Sequence, residues 1–176
     1  SSVCDLRYSG NDIGAARTFG SKTNRIDIVG RVSLDNGKTW LKRQVLLQGS
    51  NTYAYGDPAI VADRESNRIL LMTVGGTVGF NASTLSNPIK VHRTYLTMAA
   101  DGTLTVEASE NVTDMFYGKG AYEGKGVFED VNKMFVTSGR IFQSSIIKVG
   151  EYYRIYAALP TEKGTYVIYS DDFGAT

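Results

Sequence analysis

One short pattern, S-x-D-x-G-x-T, occurs twice in this chain, at residues 33–39 and at residues 170–176. In both copies a glycine follows the aspartate by two positions, and Trp40 comes directly after the first copy. Glycine reaches the positive φ that a tight bend needs, and an aspartate carboxylate accepts backbone N–H bonds across such a bend. The pattern therefore predicts two hairpin turns of the same construction, stabilised by Asp35 and Asp172.

The rest of the chain has a sequence pattern typical of short strands joined by tight turns. Segments rich in Val, Ile and Tyr alternate with clusters of Gly, Asn, Asp and Ser, and the 19 glycines and 11 tyrosines suit twisted, tightly turned sheets. We expect strands at residues 25–33, 40–47, 60–62, 68–74, 91–98, 103–106, 143–149, 152–159 and 164–170, and one short turn of helix within residues 111–117. Hairpins at this spacing predict an all-β fold, which is a sandwich, a barrel or a propeller.

Two copies of one turn, each after a β-rich run, favour the propeller. They resemble the Asp-box of sialidase-like β-propellers, which usually occupies the outer hairpin of a blade. The motif residues are Asp35, Gly37 and Trp40 in the first copy, and Asp172 and Gly174 in the second. The resemblance implies that these residues are structural and lie far from any active site, and that the tryptophan is buried beside the neighbouring sheet.

The length of the chain limits how much of such a propeller it can form. A six-bladed propeller with four strands in each blade needs roughly twice this length. The resemblance therefore implies that residues 1–176 form part of a single catalytic β-propeller domain, roughly its first half, truncated at both ends. The complete domain is expected to be a monomer.

Charge and residue types exclude several classes of function. The chain has 19 basic and 18 acidic residues, a net charge of +1, so no overall field would attract nucleic acid or an acidic membrane. His92 is the only histidine and Cys4 the only cysteine. We therefore expect no disulfide, no metal site and no cofactor, a structural role for His92, and Cys4 as a small buried hydrophobic residue. No run approaches the ~20 apolar residues of a membrane span.

Three segments carry the resemblance to the chemistry of sialidases. Residues 5–8, D-L-R-Y, followed by Asp12, are similar to a D-x-R-[YH]…D segment of bacterial and trypanosomal sialidases. Residues 26–33 resemble the strand that leads into the first Asp-box of that family, and residues 55–61 resemble a strand that begins with Asp-Pro. Position by position, Asp12 matches the general acid/base of the family. Arg7 and Asp57 match residues that hydrogen-bond the 4-hydroxyl region of the sugar.

These residue types fit the roles that the resemblance implies. Asp12 would protonate the leaving glycosidic oxygen and then activate water, and a partly dry loop that raises its pKa would suit this task. A hydroxyl placed between Asp57 and Arg7 can donate to the carboxylate and accept from the guanidinium. Without the family match these residues have structural interpretations. Asp12 would be a turn residue, Asp57 a loop cap and Arg7 a surface arginine. The stretch at residues 13–25 is longer than is usual in the family, which can move the acid or cover the sugar.

The resemblance implies an exo-α-sialidase that hydrolyses terminal sialic acid from glycoconjugates with retention of configuration. Its nucleophilic tyrosine and the arginine triad for the sugar carboxylate would lie outside residues 1–176. A neutral tyrosine suits a substrate whose anomeric carbon already carries a carboxylate, and sialidases are an exception to the two-carboxylate scheme of most glycosidases. The implied partners are sialylated glycans, and the family implies a secreted, periplasmic or cell-surface location.

Three alternatives stay open at this point. A trans-sialidase would differ by binding an acceptor sugar. A non-catalytic Asp-box propeller would bind glycans or act as a scaffold. Another glycosidase on the same fold would keep a pair of carboxylates and lack the arginine triad.

Overall fold

The computed structural model describes residues 1–8, 13, 18–19, 22–23, 25–117, 130–136 and 139–176, and of residues 18–19, 22–23 and 139 it describes the backbone alone. Within these ranges the structure consists of strands, turns and two short 3₁₀ helices, at Phe80–Ala82 and Thr113–Met115. The all-β expectation is confirmed. The second 3₁₀ helix lies where the sequence predicts one turn of helix. No described helix is long and apolar enough to cross a membrane.

The structure has thirteen strands in the part of the chain that it describes. In chain order they are β1 (Ser2–Arg7), β2 (Thr18–Phe19), β3 (Lys22–Thr23), β4 (Ile26–Arg31), β5 (Gln44–Leu47), β6 (Ala54–Ala62), β7 (Arg68–Gly76), β8 (Lys90–Met98), β9 (Leu104–Asn111), β10 (Gly139–Arg140), β11 (Phe142–Val149), β12 (Tyr152–Thr161) and β13 (Gly164–Ser170). The predicted strands are found, β13 with the predicted ends and the others with shifted ends. The largest shift is in β6, which begins at Ala54 and not at residue 60.

The larger sheets are three successive meanders. The first sheet has the order β1-β4-β5, the middle sheet β10-β6-β7-β8-β9, and the third sheet β11-β12-β13, while β2 and β3 form a separate small hairpin. Neighbouring strands are antiparallel except β10, which pairs parallel with β6. The chain continues from β10 into β11 after one residue, so this parallel pairing sets the start of the third sheet beside β6. Among the described strands β1 and β13 do not pair with each other, so no pairing closes the array.

Strand β7 of the middle sheet is buried on both faces. Side chains alternate between the two faces of a strand. Ile69 and Leu71 belong to one buried cluster with residues of the first sheet, whereas Leu70 and Val74 belong to a second cluster with residues of the third sheet. A fully buried aliphatic side chain contributes about 1.5–3 kcal/mol, so alternate positions of one strand hold three sheets together.

Cys4 lies on β1, an edge strand of the first sheet. Its side chain is exposed, so the expectation that it is a small buried residue is wrong. The neighbouring strand β4 is buried from Ile26 to Gly30 because it is the central strand of this sheet. Only β4 lies beside β1 within the first sheet, which leaves part of β1 open to solvent.

Candidate functional site

Two repeat turns, the first at residues 33–39 and the second at residues 170–176, are held by the same four hydrogen bonds. In the first repeat turn Ser33 Oγ donates to Asp35 Oδ1 at 2.7 Å, and the glycine N–H donates to Ser33 Oγ at 2.7 Å. Thr39 donates its N–H to Asp35 Oδ1 at 2.8 Å and its hydroxyl to Oδ2 at 2.6 Å. The corresponding distances in the second repeat turn are 2.7, 2.8, 2.9 and 2.6 Å. The bonds from Thr39 and Ser33 lower the pKa of Asp35 to about 2.

The residue after the aspartate has a different role in each repeat turn. Asn36 and Phe173 both have a φ of 58°, but Asn36 is exposed and Phe173 is fully buried. The Phe173 ring is stacked on Tyr95 of the middle sheet and Tyr152 of the third sheet, with centroids 6.4 and 5.7 Å away. The second repeat turn therefore joins two sheets in addition to closing a hairpin.

Trp40 is 42% exposed, so the expectation that it is buried beside the neighbouring sheet is wrong. Strand β5 pairs with β4 only from Gln44 onwards. Trp40 therefore lies before the first residue of β5 that pairs with the sheet. In the first repeat turn it does not take the buried position that Phe173 has in the second.

The first repeat turn lies at the opposite end of the first sheet from Arg7. Arg7 is paired with Ile26 at the start of β4, and Ser2 is paired with Arg31 at its end. At about 3.3 Å per residue, β4 separates its two ends by roughly 17 Å. Arg7 is thus at the end of the sheet where the chain leaves β1, enters β4 at Ile26 and leaves β5 at Leu47, which we call the loop end.

Arg7 is joined to Asp5 on the same face of β1, since residues two apart on a strand share a face. Its Nε and Nη2 atoms both donate to Asp5 Oδ2, at 3.1 and 2.8 Å. The Arg7 side chain is 37% exposed and the Asp5 side chain 16% exposed. This pair presents a partly exposed guanidinium at the loop end, held by a more deeply buried carboxylate.

Gly56 of β6 lies opposite two side chains, those of Ile13 and of Asp5 on β1. A Cβ placed on Gly56 would lie 2.6 Å from Ile13 Cδ1 and 4.0 Å from Asp5 Oδ2. The first distance is shorter than real Cβ contacts, so a side chain at position 56 would require Ile13 to shift. Ile13 is itself buried, and it directly follows Asp12 in the sequence.

Asp57 follows Gly56 and lies in an interruption of the β6–β7 ladder. Gly56 is paired with Val74 and Ala59 with Met72, so two residues of β6 oppose one of β7. Pro58 has no N–H to contribute to a ladder, which explains a bulge at this place. Asp57 has a φ of 48°, in the left-handed region that non-glycine residues seldom adopt. Bulges re-aim side chains and are common beside active sites.

Asp27 is a fully buried carboxylate that the sequence interpretation did not single out. It accepts bonds from Arg25 Nε and Nη2 at 2.9 and 2.8 Å, from the Tyr8 hydroxyl at 2.9 Å and from the Gly49 N–H at 2.8 Å. Burial alone would raise the pKa of Asp27, but the bonds from Arg25, Gly49 and Tyr8 outweigh it and lower the pKa. Because Tyr8 and Arg25 flank residues 9–24, Asp27 fixes the residues on either side of the segment that contains Asp12.

His92 belongs to an aromatic cluster at the loop end of the middle sheet. Its Nε2 lies 2.6 Å from the Tyr53 hydroxyl, and its ring contacts Tyr53 and Tyr55 edge-on, at centroid distances of 5.8 and 5.1 Å. Burial lowers the pKa of His92 to about 4 and raises that of Tyr53 to about 12. A neutral imidazole that accepts from Tyr53 fits this geometry, and the cluster stands just before the segment that carries Asp57.

The structure places Arg7 on β1 and Asp57 on β6, strands of different sheets. Asp5, the carboxylate that holds Arg7, has its Oδ2 4.0 Å from the position of a Cβ on Gly56, the residue before Asp57. Asp12 lies outside the described residues. Sequence reasoning missed Asp5 and Asp27, although the i, i+2 spacing of Asp5 and Arg7 on a strand was a usable signal. Within the described part of the chain no group of three or more His, Cys, Asp and Glu side chains could hold a metal ion.

An arginine and an aspartate at one end of two packed sheets can bind a polar ligand rich in hydroxyl groups. The guanidinium is a donor only and the ionised carboxylate an acceptor only, so a hydroxyl between them satisfies both.

Comparisons with known proteins identify solved structures with a similar fold. Neither protein-family models nor curated proteins gave a match. Among solved structures, the chain is similar to the Hadza microbial sialidase Hz136, with a TM-score of 0.59 and 18% identity over 86% of this chain and 30% of that one. It is also similar to the intramolecular trans-sialidase from Ruminococcus gnavus in complex with oseltamivir carboxylate, with a TM-score of 0.52 and 14% identity over 86% of this chain and 53% of that one.

These likenesses define a sialidase-like all-β fold, so the resemblance drawn from the sequence is confirmed at the level of the fold. The chain spans less than two thirds of either neighbour's length.

Proposed function

We propose that this chain is part of an exo-α-sialidase, which hydrolyses terminal sialic acid from glycoconjugates with retention of configuration. Residues 1–176 would form roughly the first half of a six-bladed catalytic β-propeller. The nucleophilic tyrosine and the arginine triad would lie outside these residues. The sialidase-like fold of the chain supports the proposal, because the proposed site residues were matched to motifs of sialidases, which have this fold.

The observation that carries the proposal is that the strands of two residues chosen by separate motifs meet. Arg7 comes from the D-x-R-Y segment and Asp57 from the Asp-Pro segment, some fifty positions later in the sequence. They lie on β1 and β6, strands of different sheets that meet where Asp5 approaches Gly56. In the proposed site Arg7 donates to the 4-hydroxyl region of sialic acid and Asp57 accepts from it.

Asp12 is the proposed general acid/base. It would protonate the departing glycosidic oxygen, and after departure of the aglycone it would remove a proton from the attacking water. The buried contact of Ile13 with Gly56 supports this role, because it attaches the residue after Asp12 to the strand that carries Asp57. The protein would act as a monomer on sialylated glycans, outside the cytoplasm and without metal or cofactor.

The second candidate function is a trans-sialidase, because one of the two solved neighbours is an intramolecular trans-sialidase. A hydrolase transfers the sialyl group to water, whereas a trans-sialidase transfers it to another hydroxyl. A glycan-binding propeller without catalysis would bind the sugar and transfer it to neither.

The experiment is an assay of the complete protein on sialyllactose, with product identity followed by NMR. We expect free sialic acid whose first-formed anomer is α, the result of two successive inversions. Sialic acid transferred to a hydroxyl other than that of water would favour the trans-sialidase. Binding of oseltamivir carboxylate without any turnover would contradict the enzyme and favour the glycan-binding propeller.

A further inference from the structure

The clearest feature of the loop end that the proposed function does not use is the carboxylate of Asp5. Both donors on one edge of Arg7, Nε and Nη2, point to the single atom Asp5 Oδ2, at 3.1 and 2.8 Å. Fixing these two nitrogens fixes the plane of the guanidinium, because the group is rigid and planar. An arginine side chain otherwise has many rotamers, and ordering them on binding lowers affinity.

The surroundings of Asp5 differ from those of a typical surface ion pair. Asp5 is less exposed than Arg7, 16% against 37%. Its Oδ2 lies 4.0 Å from the position of a Cβ on Gly56, so it is placed against the backbone of β6 immediately before Asp57. The residue that orients Arg7 is therefore itself positioned by the strand that carries the other sugar-binding side chain.

We propose that Asp5 is a positioning residue, which holds the Arg7 guanidinium in the orientation that binds the sugar hydroxyl beside Asp57. This rests on the proposed function, in which Arg7 binds the 4-hydroxyl region. Asp5 does not touch the sugar. It reduces the ordering that Arg7 undergoes on binding, and its negative charge strengthens the hydrogen bonds that keep the guanidinium in place.

The energetics separate this role from a structural one. A partly exposed ion pair between residues two apart on an edge strand adds little to stability. Loss of Asp5 should therefore leave the melting temperature nearly unchanged and weaken ligand binding through Arg7 alone. A merely structural residue would show the opposite pattern.

The test uses the complete protein and one probe, 2-deoxy-2,3-didehydro-N-acetylneuraminic acid, whose dissociation constant is measured for Asp5→Ala, Asp5→Asn, Arg7→Ala and the double variant Asp5→Ala/Arg7→Ala. We expect Asp5→Ala to weaken binding about tenfold, the effect of one newly mobile side chain. Asp5→Asn, which keeps an oxygen acceptor, should weaken it less. The double variant should bind as weakly as Arg7→Ala and no more weakly, because Asp5 acts only through Arg7.

A matched control removes a carboxylate from another surface ion pair. Glu65, whose Oε2 lies 2.5 Å from Lys148 Nζ, is in the turn at residues 63–67, at the other end of β6 from Asp57. Glu65→Ala should leave the dissociation constant unchanged.

The outcomes distinguish a failure of the positioning role of Asp5 from a failure of the sugar-binding role of Arg7. If Arg7→Ala weakens binding and Asp5→Ala does not, the positioning role is wrong and the sugar-binding role of Arg7 stands. If the losses from Asp5→Ala and Arg7→Ala add in the double variant, Asp5 acts independently and the positioning role is wrong. If Arg7→Ala leaves the affinity unchanged, the sugar-binding assignment is wrong and the positioning role falls with it.

Discussion

At the scale of single residues, the loop end is organised by carboxylates that hold arginines. Asp5 holds Arg7 at the surface, and Asp27 holds Arg25 in the interior with help from Tyr8. A buried carboxylate is tolerated only when its acceptor sites are satisfied, and Asp27 accepts four bonds. One of these anchors supports a proposed ligand contact, and the other supports the segment that contains the proposed acid.

Asp27→Asn should destabilise the complete protein by roughly 3 kcal/mol, the lower end for breaking a buried ion pair, because Arg25 is partly exposed. The pKa of Asp27 is lowered in the folded protein. Its contribution is therefore present above the pKa of the unfolded chain, near 3.8, and is lost as the pH falls below that value. Urea unfolding at pH 3 to 7 should show a smaller loss of stability with falling pH in the variant. Equal pH profiles for both proteins would contradict the assignment.

Asp12→Ala should lower turnover on natural sialosides by about 10²–10⁴-fold, the usual contribution of a general acid. An aryl sialoside with a good leaving group needs little protonation, so its turnover should fall far less. The two substrates are compared by kcat and kcat/KM. Equal losses on both would remove Asp12 from the role of the acid.

At the scale of elements, the repeat turns and strands show what local sequence determines. Strand β13 was predicted with the observed ends, because an alternating run and turn residues bound it on both sides. The start of β6 was missed because the bulge at Asp57 and Pro58 breaks the alternation. The burial of Trp40 was predicted wrongly because it depends on which sheet lies nearby. The Asp27 cluster was missed because its partners come from three separate segments.

Phe173→Ala should destabilise the protein by about 3–5 kcal/mol, as for other large-to-small changes of buried aromatic residues. Phe173 is fully buried between Tyr95 and Tyr152. Trp40→Ala is the matched control, since Trp40 stands beside the other repeat turn and is 42% exposed. Its effect on the free energy of unfolding should be small. Equal destabilisation by the two changes would show that the repeat turns are anchored alike.

At the scale of the whole molecule, the sheets differ in how completely they are covered. Strand β7 of the middle sheet is buried on both faces, whereas the third sheet exposes Ile146 and Val167, at 87% and 75%. The third sheet also exposes Phe142 and Tyr169. Exposed apolar groups on sheet strands favour association with other chains.

Residues 1–176 expressed alone should associate at micromolar concentration and should not hydrolyse sialosides, since the proposed nucleophile and arginine triad lie outside them. The double change Ile146→Lys/Val167→Lys should shift sedimentation towards the monomer. Lys90→Glu is a control for an added charge change away from the third sheet, and should leave association unchanged. An active monomer of the unchanged 176 residues would contradict the placement of the missing groups.

The alternation of β7 between two buried clusters limits how the protein can unfold locally. A strand whose odd positions serve one interface and whose even positions serve another cannot detach while either interface is intact. Local fluctuations should therefore release the first or the third sheet separately and leave β7 closed. In hydrogen exchange of the complete protein, the β7 amides should be among the slowest to exchange, with protection close to that of global unfolding. The amides of β1, an edge strand of the first sheet, should exchange faster.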